Sequence, residues 1–184
     1  MKGAEDVIEE FQAKDDSLVI LRPVQNEDAP YIVKAVEGIV RNGKYIQKER
    51  PRTVKEEQEF IKEMLEKDNM YSVVVKEDTV VGIARVIRGE LEMKHHTGLF
   101  RTWLTSDVQG LGIGKKVMEY TLNWCNAHRL HKLCLTVFAS NDIAYHLYKK
   151  YGFVEEGRQK EQLLIDGAFD DEIFMAYFFN PKIN

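Results

Sequence analysis

Gln109-Gly110-Leu111-Gly112-Ile113-Gly114 decides the fold of this chain, because it joins an apolar run that reads as a strand to a periodic run that reads as a helix. Lacking a Cβ, Gly110, Gly112 and Gly114 adopt conformations that other residues avoid, and the first N–H groups of the following helix have no intrahelical acceptor. Such a loop cradles an anion, phosphate above all. The same glycines would also suit a plain strand-to-helix turn, so the type of loop has to be tested. A dinucleotide fingerprint starting at Gly110 needs a third glycine where Lys115 stands, and one starting at Gly112 needs it at Val117. A nucleotide P-loop read back from Gly114-Lys115 needs glycine at Gln109 and a magnesium-binding hydroxyl at Lys116. Both fail. What remains is Gln, two residues, Gly, one residue, Gly.

A second segment lies about thirty residues downstream: Asn141-Asp142-Ile143-Ala144-Tyr145-His146-Leu147-Tyr148-Lys149-Lys150-Tyr151-Gly152-Phe153. Asn141, Ala144 and Tyr148 are spaced so that one helix face carries the amide and the phenol. Gly152 suits the helix C-terminus, where a left-handed residue is wanted. Taken alone this is also an ordinary amphipathic helix with core aromatics. Together, in this order and spacing, the two segments resemble the GNAT superfamily of N-acetyltransferases. Its acyl-CoA pyrophosphate loop reads Gln or Arg, two residues, Gly, one residue, Gly or Ala, and its second cofactor segment opens a helix with Asn and closes on Gly-Phe. The resemblance covers residues 18–179.

The rest of the chain agrees with one α/β domain. It has 184 residues, 44% of them apolar, which is ordinary for a globular core. Residues 1–17 read as an N-terminal extension in which Val7, Ile8 and Phe11 suggest a short helix, and residues 180–184 as a tail. The acidic N-terminus offers no signal peptide or membrane span, and Cys125 and Cys134 sit in apolar runs outside any metal-ligand spacing. A soluble cytoplasmic protein with reduced cysteines, no metal and no membrane partner is expected. The net charge of −4 argues against nucleic acid, which leaves a basic footprint. A homodimer is left open.

Periodicity places a strand at residues 18–22, ended by Pro23, and a helix from Asn26 or Glu27 to Val40. Thr53 and Glu56 form a capping box that opens a helix running to about Asp68, with Phe60, Ile61, Met64 and Leu65 inward. Strands at 71–75 and 79–87 turn at Glu77-Asp78. A strand at 98–104 feeds the glycine loop, and the helix at 113–128 buries Val117, Thr121 and Trp124. A strand at 133–138 follows, another starts at Phe153, and 162–165 with 173–178 form a closing hairpin at Asp166-Gly167. Physics leaves the topology of this mixed pattern open. The resemblance implies a twisted mixed sheet whose fourth and fifth family strands splay apart, flanked by about four helices.

The resemblance also implies chemistry. Acetyl-CoA is the expected co-substrate and a primary amine the acceptor, joined by direct attack in a ternary complex, since proximity supplies much of the rate. Backbone groups of Thr102, Trp103 and Leu104 would face the pantetheine and acetyl carbonyl, while Gln109, Gly110, Leu111, Gly112, Ile113, Gly114 and Lys115 would hold the pyrophosphate. Tyr148 occupies the position of the acid that protonates the departing thiolate, and Asn141 would bond the pantetheine arm, cap its helix, or both. Many relatives carry a Glu as base where Leu99 stands, so this chain departs from them there. His96, just before that strand, and Glu37 on the first helix are the remaining candidates, alongside a water chain. A small amine is the leading acceptor class. A protein N-terminus, a protein lysine and a catalytically silent acyl-CoA sensor are the alternatives, because the charged segment 37–53 does not choose.

Overall fold

Thr53 and Glu56 cap a helix as their spacing requires: the Thr53 side chain accepts from the Glu56 N–H, and Glu56 returns the bond to the Thr53 N–H. The helix is α2, Val54–Glu66, seen in a computed structural model that describes residues 7–42, 45 and 50–179. The chain divides into two compact units, residues 1–87 with 101–128, and residues 88–100 with 129–184.

The first unit holds β1 (Glu9–Gln12), β2 (Leu18–Pro23), α1 (Ala29–Asn42), α2, β3 (Met70–Lys76) and nearly all of β4 (Thr79–Arg88). It continues through the C-terminal half of β5 (Thr97–Leu104) into α3 (Ile113–Ala127). Its strands pair in the order β1-β2-β3-β4-β5. β1, β2, β3 and β4 form antiparallel pairs, Glu9 facing Leu21, Leu21 facing Val74, and Val73 facing Ile83. The core lies where α1 and α2 cover this sheet: Ile32, Val36, Ile61 and Met64 meet Val73, Val80 and Ile83, with Trp103 against them. Residues four apart on α1 and three apart on α2 supply that stripe.

The second unit pairs the N-terminal half of β5 with β6 (Lys132–Phe138), then β8 (Ala168–Phe178) and β7 (Val154–Ile165), and carries α4 (Asp142–Lys150). The β5–β6 ladder is parallel and short, from Thr97 opposite Lys132 to Leu99 opposite Cys134. β6 and β7 both run antiparallel to β8. The sheet is therefore mixed and the class α/β, with four helices among the described residues, as the sequence implied. The family's fourth and fifth strands are β5 and β6 here, because an extra strand precedes them.

That extra strand corrects one expectation. Residues 9–12 form β1 instead of part of a helix, since Glu9 and Phe11 alternate with more exposed neighbours along a ladder on β2. Leu65 is another: it is 51% exposed, because Ile61 and Met64 already fill the α2 stripe. Trp124 is half-buried beside fully buried Val117 and Thr121. The strands expected separately at Phe153 and at 162–165 are one strand, β7, interrupted by register shifts at Glu155/Gly157 and Gln159/Leu163. Residues 1–6 and 180–184 of the expected extension and tail lie outside the described residues. No helix among the described residues is long and apolar enough to cross a membrane.

Candidate active site

The glycine loop leaves β5 through one turn of 3-10 helix, Ser106–Val108, whose Val108 is buried. Gly110 and Gly112 then take φ of +79° and +85°, and Gly112 stands as the N-cap of α3 with no side-chain cap. An L-residue in that left-handed region costs about 1–2 kcal/mol, so glycine is what the backbone asks for. Fully buried Ile113 pins the first turn of α3, fixing where its N-terminus points. The Lys115 N–H turns back to the Gly112 carbonyl at 3.2 Å. The opening N–H groups of α3 have no carbonyl four residues back and carry the positive end of the helix dipole.

Lys14, at the start of the β1–β2 turn, joins this loop. Its N–H donates to the Leu111 carbonyl at 3.1 Å, and its side-chain carbons lie 3.8 and 3.9 Å from the point a Gly112 Cβ would occupy. The β1–β2 turn holds it there: Asp15 accepts from both the Ser17 N–H and hydroxyl and pairs with Lys76 at 3.0 Å. Those bonds lower the Asp15 carboxyl to about 2, the Ser17 hydroxyl contributing most. The signal in the sequence was the turn itself, Asp15-Asp16-Ser17, with Asp16 at φ +64°. A Gly110 with no steric neighbour, a Gly112 met only by the Lys14 side chain, and that exposed lysine beside the α3 N-terminus fit a pyrophosphate group.

The end of β5 adjoins the loop. The Thr102 hydroxyl donates to the Ile83 carbonyl at 2.7 Å, and the Thr105 N–H to the Val81 carbonyl at 2.8 Å. Between them Gly82 is required by close approach: a Cβ there would run into Leu104 Cδ2 and stand 2.8 Å from the Trp103 carbonyl oxygen. Leu104 and Gln109 share a cavity of about 460 Å³ with Tyr31, Lys34 and Gly38 of α1 and Val81 of β4. Glu37 lies on the exposed side of α1 and is not among the lining residues.

In the second unit, Asn141 caps α4 by accepting from the Ala144 N–H at 3.3 Å. Tyr148 is 9% exposed, edge-on to Phe100 at 6.4 Å between centroids and tilted against Phe153 at 5.7 Å. Gly152 ends the turn after α4 at φ +95°. His96 is exposed, its carbonyl accepting from the N–H groups of His131 and Lys132 at 2.8 and 3.1 Å, so its visible contribution is to the entry of the β5–β6 ladder. Burial pushes the Cys125 thiol up to about 12 and raises that of Cys134. Neither is a thiolate at neutral pH. Among the described residues no cluster of His, Cys, Asp and Glu gathers as a metal site.

Sequence reasoning also missed a charged cluster under α2. Glu57, 2% exposed, takes the Tyr71 hydroxyl on one oxygen and pairs with Arg52 on the other at 3.0 Å. Arg52 lies over the Phe60 ring at 3.9 Å and Arg85 over the same ring at 5.1 Å. Its five members come from three elements and a loop, which is why no local pattern announces it.

A strand, a left-handed glycine loop and a helix N-terminus stand beside a cavity. The chain belongs to the acetyltransferase (GNAT) family, whose model matches residues 39–153. It is similar to a spermidine N(1)-acetyltransferase of Vibrio cholerae, 32% identical over 108 residues, 56% of this chain and 61% of that protein. It is likewise similar to the L-amino acid N-acetyltransferase AaaT of Escherichia coli, 32% identical over 98 residues, 53% of this chain and 60% of that protein. These matches span about three fifths of each relative's length. Among solved structures it shares the fold of a GNAT phosphinothricin acetyltransferase from Sinorhizobium meliloti in complex with AcCoA. The TM-score is 0.81 at 20% identity, covering 88% of this chain and 89% of that one.

Proposed function

We propose that this protein is an N-acetyltransferase that moves the acetyl group of acetyl-CoA onto a primary amine of a small molecule. The observation that carries the reading is the loop of left-handed Gly110 and Gly112 at the N-terminus of α3, with Lys14 beside it. Residues 109–115 and Lys14 hold the pyrophosphate by backbone N–H donors and a neutralising ammonium. The backbone of Thr102, Trp103 and Leu104 receives the pantetheine and the acetyl carbonyl, where donors aimed at a developing oxyanion contribute about 3–4 kcal/mol. Asn141 bonds the pantetheine arm while capping α4. Relatives named for spermidine and for L-amino acids support a small amine as acceptor.

The uncharged amine attacks the thioester carbon: a C–N bond forms, the C–S bond breaks, and the thiolate takes a proton from the Tyr148 hydroxyl. The attacking nitrogen gives its proton to water, and the Tyr148 phenolate takes one back from water, which restores the acid. His96 and Glu37 are both exposed, and a water chain relieves either of an essential role. Protonated Cys125 and Cys134 leave an acyl-cysteine route without a nucleophile, which supports direct transfer.

The test is to incubate the purified protein with acetyl-CoA and a panel of polyamines, amino acids, aminoglycosides and N-terminal peptides, following thiol release. Release dependent on a small amine is the expected result. Release only with peptides would reassign the acceptor, and cofactor binding without turnover across the panel would make the protein an acyl-CoA sensor.

A further inference from the structure

We infer that residues 7–17 are a strap that sets the shape and charge of the coenzyme loop, with Tyr120 and Asp15 as the positioning residues that hold it; this rests on the acetyltransferase reading above. β1 is only four residues long and stands at the edge of the sheet, paired with β2 alone. So short an edge strand frays readily unless something ties it down. This one is tied at one end to α3 and at the other to the loop that opens α3.

At the first end the Tyr120 hydroxyl donates to the Val7 carbonyl at 2.9 Å and accepts from the Ser72 hydroxyl at 3.3 Å. Tyr120 and Ser72 are both buried, so the phenol is a fixed post joining β3, α3 and the start of the strap. At the second end the Lys14 N–H donates to the Leu111 carbonyl at 3.1 Å, between the two left-handed glycines. The C=O and N–H of one trans peptide point in opposite directions, so this bond also fixes where the Gly112 N–H points. Buried Val108 and Ile113 pin the loop on either side, and Gly112 is an N-cap without a capping side chain. Between those pins, Leu111 is held by the strap.

Asp15 fixes the turn that carries the charge. Its carboxylate accepts from the Ser17 N–H and hydroxyl and pairs with Lys76 of β3 at 3.0 Å. The Lys76 ammonium is stabilised first by Asp15, then by the charges of Glu77 and Asp107, and Asp107 lies on the 3-10 turn that enters the loop. The β1–β2 turn is thereby tied to β3 and drawn toward the loop, and the Lys14 side chain runs along Gly112. A strap that lifts away takes with it the bond on Leu111 and the ammonium beside the helix N-terminus. Affinity for a phosphate-bearing ligand falls with the fraction of molecules in which the strap is closed.

The experiment titrates acetyl-CoA and acetyl-pantetheine, which lacks the pyrophosphate, into the unaltered protein, Tyr120→Phe, Asp15→Asn and the double variant, by calorimetry. Each single substitution should weaken acetyl-CoA about 3-fold and the pair about 10-fold, while acetyl-pantetheine stays within about twofold. Amide hydrogen exchange without ligand should show residues 7–17 and 109–115 losing protection together in the double variant. Acetyl-CoA bound by the double variant within about twofold of the unaltered protein would overturn the strap and leave the acetyltransferase standing. Equal weakening of both compounds, or faster exchange confined to residues 7–17, would do the same. If the unaltered protein binds no acetyl-CoA, joint loss of protection would uphold the coupling of strap to loop and overturn the acetyltransferase reading; separate loss would overturn both.

Discussion

Replacing Tyr148 by Phe removes one oxygen and leaves the ring, which makes it the cleanest separation of catalysis from packing in this molecule. The ring contacts with Phe100, at 6.4 Å and an interplanar angle of 88°, and with Phe153, at 5.7 Å, are made by atoms that Phe retains. Loss of one hydroxyl hydrogen bond costs about 1 kcal/mol of stability, which lowers Tm by roughly 2–4 °C in a chain of this size. A general acid contributes about 10²–10⁴ in rate, or roughly 3–5 kcal/mol of barrier. The kinetic effect should therefore exceed the stability effect by about 2 kcal/mol or more. Amine-dependent thiol release at saturating acetyl-CoA gives kcat, calorimetry gives the cofactor Kd, and a thermal melt gives Tm. The expected result is kcat down about 100-fold or more, with Kd within about twofold. A kcat within about threefold of the unaltered protein across pH would refute the assignment, and a loss that merely tracked Tm would reduce Tyr148 to a packing residue.

Gly112→Ala should cost about 1–2 kcal/mol in urea unfolding from backbone strain alone, since its Cβ would meet only Lys14 carbons at 3.8 and 3.9 Å; a cost under about 0.5 kcal/mol would contradict the left-handed assignment. Glu57→Gln breaks the pair with Arg52, whose side chain is 29% exposed, so a loss of about 2–3 kcal/mol is expected, below the range for fully buried pairs; urea unfolding showing less than about 1 kcal/mol would refute it. Asp15 is lowered from 3.8 to about 2 in the folded chain, so its contribution is present above about pH 4 and fades as pH falls toward 2. Asp15→Asn should flatten the acid unfolding profile in that window, and an unchanged profile would exclude the Ser17–Lys76 contacts as its cause.

The elements most legible in the sequence were those specified by neighbours along the chain. The Thr53–Glu56 box, the Glu77-Asp78 turn with both residues at positive φ, and the Asp166-Gly167 turn each encode their geometry within four residues. The glycine loop was legible for the same reason. β1 was not, because Val7, Ile8 and Phe11 satisfy a helical spacing as well as an edge strand, and the ladder on β2 decides between them. β7 is exposed along most of its length, so no apolar alternation marks it, and its place is set by pairing with β8. The contacts of Lys14, and the grouping of Arg52, Glu57, Phe60, Tyr71 and Arg85, bring together segments distant in the chain. A departure from the residue the family resemblance implies could be seen at Leu99 by counting.

The proposed activity requires residues 109–115, with Lys14, to bind the pyrophosphate of acetyl-CoA. Calorimetric titration with acetyl-CoA and with acetyl-pantetheine, which lacks the pyrophosphate and nucleotide, tests it most directly. Acetyl-CoA should bind about 100-fold more tightly or better, and Lys14→Ala should narrow the gap by about threefold or more, with a weaker salt dependence. Equal affinity for the two compounds would contradict the account.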